Sequence, residues 1–391
     1  MTETFLTTLM AVQVRLDSIA KGGEAVARPA DGRVVFVRGG IPGELVDIDV
    51  TDDSHATFWR GVVVDVVEPS PDRVTPPCPV AGVCGGCDWQ HIGLERQRAL
   101  KTESVAEQMW RLGHRHVDVT VEPVPGDVGG LAWRTRMRYL TSGDTVGLRG
   151  ARSHDLVTLP PCGCPLAAGG PSVPELRELK RAAKLDHDAE ICVTVADGVT
   201  VWSPGRGVMT GSDVVTQRAL GREYAVRADG FWQVHPGAPG ALSEAVLASL
   251  QPQPGERALD LYCGVGLFAG ALSDAGVEVF GLEADPDAVR LAGRNVADAW
   301  FETGRVEREP WPSTADLVVL DPPRSGAGKA VLERVAATRP RAVAYVACDE
   351  ASLGRDTALF ADCGYALSEL RAFDIFPMTS HVECVATFIP D

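Results

Sequence analysis

The sequence has no apolar run near the roughly 20 residues that a membrane-spanning helix needs; stretches 62–64 and 342–347 are typical of its uninterrupted hydrophobic segments. No basic region precedes the apolar residues at the N-terminus, so no secretory leader is expected. Ten cysteines in 391 residues are too sparse for a disulfide scaffold. Positive charge is in deficit, with 37 Lys and Arg against 53 Asp and Glu for a formal net charge of −16, which argues against broad, non-specific attraction to nucleic acid and leaves room only for a local basic groove. Internal repeats and low-complexity tracts are absent. The 45% hydrophobic and 23% charged content excludes wholesale disorder, and the length is two to three times that of an ordinary domain. These features together predict a soluble, cytoplasmic, multidomain protein without a membrane partner or an evident obligate protein partner.

Segments 10–16, 33–37, 44–50 and 59–67 alternate branched apolar with polar residues and are separated by Gly22-Gly23, Gly39-Gly40 and Pro42-Gly43. That pattern predicts four or five short strands, most economically closed into a small β-barrel that leaves no free edges. Pro69, Pro71, Pro76, Pro77 and Pro79 make a linker. A helix is expected over 95–112, stopped by Gly113, and mixed strands and loops over 117–235. From about 240 onward, buried strands alternate with helices, the signature of a doubly wound α/β sheet.

Three constellations carry chemistry. In Asp260-Leu-Tyr-Cys-Gly-Val-Gly266 a strand turns into a helix through Gly264 and Gly266, and Glu283 ends the next strand, where a carboxylate can accept both hydroxyls of a ribose. The loop lacks the third glycine of a pyrophosphate fingerprint, so S-adenosylmethionine fits better than NAD. Asp321-Pro-Pro-Arg324 follows the apolar strand 317–320, and Cys348 follows the strand 342–347, so both should face one crevice at the carboxyl end of the sheet. A free cysteine is more often an inert buried hydrophobe than a nucleophile; this one is distinguished by its place at a strand exit. Cys192, Cys263, Cys363 and Cys384 have no comparable setting. Third, Cys78-x5-Cys84-x2-Cys87 with Cys162-Gly-Cys164 about 75 residues later offers three close thiols and two candidates for a fourth, enough for zinc or for an iron–sulfur cube, the spacing favouring the cube.

Taken in order, the barrel, the Cys78–Cys84–Cys87 spacing, Phe231-Trp-Gln233, the 260–266 loop, Asp321-Pro-Pro-Arg324, Cys348 and His381-Val-Glu383 resemble the S-adenosylmethionine-dependent RNA uracil-5-methyltransferases. Within that family they are most similar to the iron–sulfur, TRAM-bearing branch that makes 5-methyluridine in bacterial 23S rRNA. The resemblance implies a TRAM-like, OB-like RNA-binding barrel at 1–68, a central α+β domain at 69–239 with a 4Fe-4S cluster, and a Rossmann-like methyltransferase domain at 240–391. It implies Cys348 as nucleophile, Glu383 as general base, and Gln233, Tyr262, Glu283 and Asp321 as contacts to cofactor or target base. Cys164, which precedes Pro165 and Leu166, becomes the better match for the fourth cluster thiol. The sequence departs from the family at Leu267, where many members carry Asn, and at Asp349-Glu350, which replaces Asn-Pro. The segment between Asn295 and Asp316 is also short, blurring the adenine-contact position near Thr303.

RNA is the implied partner, rRNA ahead of tRNA. Between 131 and 154 five arginines (Arg134, Arg136, Arg138, Arg149, Arg152) face one acid, with Trp133 and Tyr139 interleaved as expected stacking surfaces. The competing readings are an exocyclic-amine methyltransferase, which Arg324 in place of an aromatic ring disfavours, and a non-catalytic RNA-binding protein with a degenerate methyltransferase domain.

Overall fold

The computed structural model describes residues 12–29 and 32–391, so positions 10 and 11 of the first expected strand lie outside the described residues. The chain forms two compact units, one comprising the chain up to Leu100 with Arg149–Val157 and Met378–Ser380, the other Lys101–Leu148, Thr158–Pro377 and His381–Asp391.

In the first unit, β1 (Val12–Ile19), β2 (Ala25–Ala27), β3 (Val34–Arg38), β4 (Leu45–Asp52) and β5 (Phe58–Glu68) close into a barrel in the order β1-β2-β3-β5-β4. Period-two patterning does the sorting: Val35 and Val37 of β3 and Val46 and Ile48 of β4 are buried, while their neighbours point outward. Trp89, Ile92 and Leu100 complete that core. Glu44, fully buried, accepts backbone N–H groups of Ile41 and Ser70 at 2.9 and 3.1 Å and pairs with Arg73 at 2.6 Å, so no carboxylate oxygen is left unpaired.

Helix α1 (Leu94–Gly113) matches the expected helix, and β6 (Val121–Pro123) follows. Next come β7 (Arg136–Ser142), β8 (Thr145–Arg149), β9 (Leu156–Thr158), α2 (Val173–Ala182), β10 (Asp188–Val195), β11 (Val199–Ser203) and β12 (Gly207–Thr210), whose strands form a six-stranded sheet. Strand β7 corrects the stacking expectation. Its alternation turns Met137 and Tyr139 inward, and Tyr139 and Trp133 are each only 3% exposed, so neither offers a face to a base. Arg136 is half-buried as well, donating to the Ala228 carbonyl at 3.2 Å and to that of Gly230.

The hairpin β13 (Val214–Ala219) and β14 (Arg222–Arg227) leads into α3 (Ala238–Leu250), β15 (Arg257–Leu261), α4 (Leu267–Asp274), β16 (Glu278–Glu283), α5 (Pro286–Asn295), β17 (Trp300–Thr303), β18 (Leu317–Leu320), α6 (Lys329–Ala337), β19 (Ala342–Ala347), α7 (Glu350–Asp362), β20 (Tyr365–Asp374) and β21 (Glu383–Pro390). The large sheet runs β17-β16-β15-β18-β19-β21-β20-β6. Its first five strands are parallel, and β21 is antiparallel to both neighbours. Every residue of β18 and β19 is buried, as expected where helices cover both faces. Val319 and Ala344 belong to one core layer, and Val318 and Tyr345 to the opposite one. Among the described residues no helix is long and apolar enough to cross a membrane.

Candidate active site

Parallel pairing aligns the carboxyl ends of four strands. Leu261 lies opposite both Leu282 and Leu320, and Leu320 opposite Tyr345. The residues just past those strands or ending them, Tyr262, Glu283, Asp321 and Cys348, therefore stand along one rim, where ligands bind in open α/β sheets. Strand β21 runs the other way, so it contributes its first residue to that rim. Ala347 pairs with Cys384, so Cys348, just past β19, and Glu383, the first residue of β21, come to the same end of the sheet, near enough for Glu383 to act on the Cys348 thiol.

The loop after β15 is held by backbone geometry. Tyr262, with φ 67°, takes the left-handed conformation that side chains ordinarily avoid, and Gly264 and Gly266 follow at φ 53° and 88°. The amides of Tyr262 and Cys263 donate to the Leu282 carbonyl at 2.9 and 3.2 Å, and the Gly264 amide donates to Glu283 Oε2 at 3.1 Å. Glu283 Oε1 accepts the Asp285 amide at 2.9 Å, so this carboxylate is braced at the rim rather than freely solvated. Beneath the loop, fully buried Asp260 accepts the Ala269 amide at 2.8 Å through Oδ2, while Oδ1 has no hydrogen-bond partner among the described residues. Burial pushes this carboxyl up to about 7, and the amide bond only partly offsets it.

Above the loop lies a cavity of about 590 Å³ whose walls include Tyr262, Gly264, Glu283, Val306, Glu307 and Asp321. That volume suits a nucleoside-sized ligand. A smaller cavity of about 40 Å³ adjoins Tyr262 and Asp321 and is lined by Gln233. Phe231, two residues before Gln233, lines both cavities and is 71% exposed.

At the Cys348 end acids dominate. Glu383 is 2% exposed, and burial raises its carboxyl well above the ordinary range, with Asp321 adding to the shift and Arg324 opposing it. Asp321 is pushed up to about 7 by burial and then by Glu283. The Cys348 thiol is pushed up to about 12, by burial first and then by Glu383 and Asp321; Arg324 again acts in the opposite sense. Two carboxyls and a thiol thus crowd one end of the rim, with the Arg324 guanidinium opposing two of the three shifts, an arrangement suited to a cationic ligand and to proton exchange.

No protein-family model matches the chain. An uncharacterized RNA methyltransferase of Streptomyces avermitilis is 41% identical over 97% of this chain and 98% of its own length. A 23S rRNA (uracil(1939)-C(5))-methyltransferase of Shewanella amazonensis is 31% identical over 96% of this chain and 94% of its own length. The chain belongs to this RNA methyltransferase family. The crystal structure of a tRNA (uracil-54, C5)-methyltransferase from Pyrococcus abyssi in complex with S-adenosyl-L-homocysteine has the same fold, with a TM-score of 0.78 at 23% identity over 96% of this chain and 99% of that one.

As an RNA methyltransferase the chain accommodates its departures locally. Asp349 is the N-cap of α7, its Oδ1 accepting the Ser352 amide at 2.8 Å, so the turn after Cys348 is set by a capping carboxylate instead of a proline. Glu350 is buried and accepts the Ser104 hydroxyl at 3.1 Å. Leu267 cannot hydrogen-bond through its side chain; the loop is braced from outside by Asn295, which donates to the Val265 carbonyl at 3.0 Å and accepts the Ala225 amide at 2.8 Å. No sequence motif marks Asn295 or Glu307. The Tyr262 hydroxyl donates to Glu307 at 3.1 Å, a contact 45 residues apart that only folding creates.

The cysteine motif of this RNA methyltransferase is placed in part. Cys78, Cys84 and Cys87 are buried in the first unit; Cys87 Sγ accepts Gln90 Nε2 at 3.0 Å, Cys84 Sγ accepts the Gly86 amide at 3.4 Å, and a cavity of about 140 Å³ adjoins both residues. Cys164, in the second unit, is half-buried, and Cys162 is exposed. Among the described residues no group of three or more Cys, His, Asp or Glu side chains is arranged to hold a metal ion.

Proposed function

We propose that the protein methylates C5 of a uridine in RNA, with 23S rRNA the first substrate to test, through a transient bond between Cys348 Sγ and C6 of the uracil. The observation that carries this reading is the pairing of β19 with β21, which brings Cys348 and the buried Glu383 to one end of the sheet, where Asp321 both acts on them and lines the nucleoside-sized cavity.

C5 of uracil is a poor nucleophile. Once the Cys348 thiol has released its proton to solvent, its thiolate adds to C6, forming the S–C6 bond and moving the ring's electron pair toward C5 and O4. S-adenosylmethionine, held by Glu283, Asp321 and the backbone at Gly264 and Gly266, supplies when bound a methyl group on a cationic sulfonium. Once C5 carries the methyl group and the neutral S-adenosylhomocysteine thioether is the leaving group, Glu383 in its carboxylate form takes the C5 proton, the C5–C6 double bond re-forms, and the S–C6 bond breaks to return the thiolate. Gln233 and Asp321 are the polar groups proposed to read the edge of a flipped-out base. RNA labelled with a tritiated methyl donor and mapped for 5-methyluridine, together with RNA from a strain lacking the protein, tests this. A tRNA T-loop site would replace rRNA as substrate, and retained RNA binding with no methyl transfer would overturn the enzymatic reading.

The raised carboxyl of Asp321 predicts a pH dependence. Below about 7 Asp321 is increasingly protonated and attracts a sulfonium less, so S-adenosylmethionine affinity is expected to weaken roughly tenfold as pH falls from about 8 to about 6. S-adenosylhomocysteine, which lacks the sulfonium charge, should respond less, and Asp321→Asn should flatten the profile. Calorimetric titrations giving parallel slopes for both ligands would contradict this.

The division of labour follows the sequence: a barrel at 1–68 and a central domain at 69–239 that contact RNA, and catalysis at 240–391, in the cytoplasm where RNA is modified. The 4Fe-4S cluster is proposed on Cys78, Cys84, Cys87 and Cys164. Its support is three buried thiols, two with N–H donors of the kind that stabilise metal-bound thiolates, and the cluster itself would draw the sulfurs together. Anaerobically purified protein should be brown and carry iron and acid-labile sulfide, both lost in Cys87→Ser; a colourless, zinc-bearing preparation would refute it.

A further inference from the structure

The far wall of the large cavity is built from a segment with little structure of its own. After the short edge strand β17, residues 304–316 contain no helix or strand, and between 304 and 314 only Val306 is buried. Yet Gly304, Arg305, Val306 and Glu307 line the cavity. At its start the segment is tied to the sheet by the Gly304 amide, which donates to the Glu283 carbonyl at 2.8 Å; one tight turn follows, in which the Arg308 and Glu309 amides both donate to the Arg305 carbonyl at 2.9 Å. The far end rejoins the sheet at Asp316, whose amide donates to the Arg257 carbonyl at 2.8 Å and whose Oδ2 accepts the Arg257 amide at 2.8 Å, and the Tyr262 hydroxyl holds Glu307; the backbone between 306 and 311 needs a further tie.

That tie comes from α6. Arg334 donates through one guanidinium nitrogen to the Val306 carbonyl at 2.8 Å and through the other to the Glu309 carbonyl at 2.6 Å, and its guanidinium carbon lies 3.5 Å from the centre of the Trp311 ring. One planar cation thus satisfies two carbonyls and stacks on an aromatic face, a combination that lysine cannot reproduce. We propose that Arg334 is a positioning residue that latches the 304–311 segment and so shapes the nucleoside wall of the donor cavity, acting on donor affinity without touching the reacting atoms. The latch rests on the reading of that cavity as the S-adenosylmethionine site.

Calorimetry with S-adenosylhomocysteine tests it. Arg334→Ala is expected to bind about ten- to a hundredfold more weakly, the loss of two hydrogen bonds that hold an otherwise irregular wall. The KM for S-adenosylmethionine should rise with a much smaller change in kcat, and RNA affinity should be unchanged. Added methylguanidinium at millimolar concentration should recover part of the donor affinity in Arg334→Ala, whereas Arg334→Lys should remain weak. Unchanged S-adenosylhomocysteine affinity in Arg334→Ala overturns the latch, as does a loss shared equally with RNA affinity and insensitive to methylguanidinium. Wild-type protein that fails to bind S-adenosylhomocysteine at all instead overturns the donor reading on which the latch depends.

Discussion

Cys348→Ala is expected to abolish methyl transfer, a loss of at least about a thousandfold, because without the sulfur nothing makes C5 nucleophilic. The decisive measurement is covalent trapping. With S-adenosylmethionine and RNA carrying 5-fluorouridine, wild-type protein should form an adduct that survives denaturing electrophoresis, since fluorine at C5 cannot leave as a proton and the S–C6 bond persists. Cys348→Ala should form none, and an adduct at wild-type level in that variant would remove Cys348 from the mechanism. The free protein holds this thiol up to about 12, so at neutral pH it is almost entirely protonated before substrates arrive. Single-turnover rates should therefore rise with pH above neutrality, and a cationic donor bound beside Asp321 should draw the thiol downward by opposing the carboxylates that raise it.

Glu383→Gln is expected to stall the reaction one step later. Turnover should fall by about 10²–10⁴, the usual worth of a positioned general base. The first methyl transfer should still occur, leaving a methylated covalent adduct on ordinary uridine RNA that wild-type protein does not accumulate. If the variant instead turns over normally, or forms no adduct at all, Glu383 does not remove the C5 proton. Loss of folding does not explain the expected result. The Glu383 carboxyl is raised on folding, so its contribution favours the folded state most below the ordinary carboxylate range and declines as pH rises toward the folded value. The neutral amide of Glu383→Gln has no charge to bury and carries no such penalty, so the variant should melt no lower than wild type at about pH 8.

Much of this site is readable along the chain because its parts are local. Gly264 and Gly266 announce a tight strand-to-helix turn, Asp321 precedes two prolines that must end a strand, and Cys348 follows a run too apolar to lie anywhere but a sheet interior. Parallel strands share a rim by topology, so the meeting of Tyr262, Glu283, Asp321 and Cys348 follows once the strands are recognised. The expectation of stacking aromatics in the arginine-rich stretch fails because it is not local. Alternation along β7 is visible in the sequence, but whether Tyr139 or Arg138 faces water depends on which side of that strand is covered.

The barrel strands, the α/β alternation, the strand-end acids and the candidate nucleophile are all written into the order of residues, since hydrophobic period, glycine and proline act within a few positions of one another. Three-dimensional packing alone inserts β21 antiparallel between β19 and β20 so that Glu383 comes to the Cys348 end of the sheet, adds β6, from residue 121, to the far edge of the same sheet, and carries Arg334 to the segment that walls the large cavity. Strand partners and long side-chain bridges are chosen by the burial of whole faces and by the pairing of backbone groups, and neither leaves a mark at the residues that are joined.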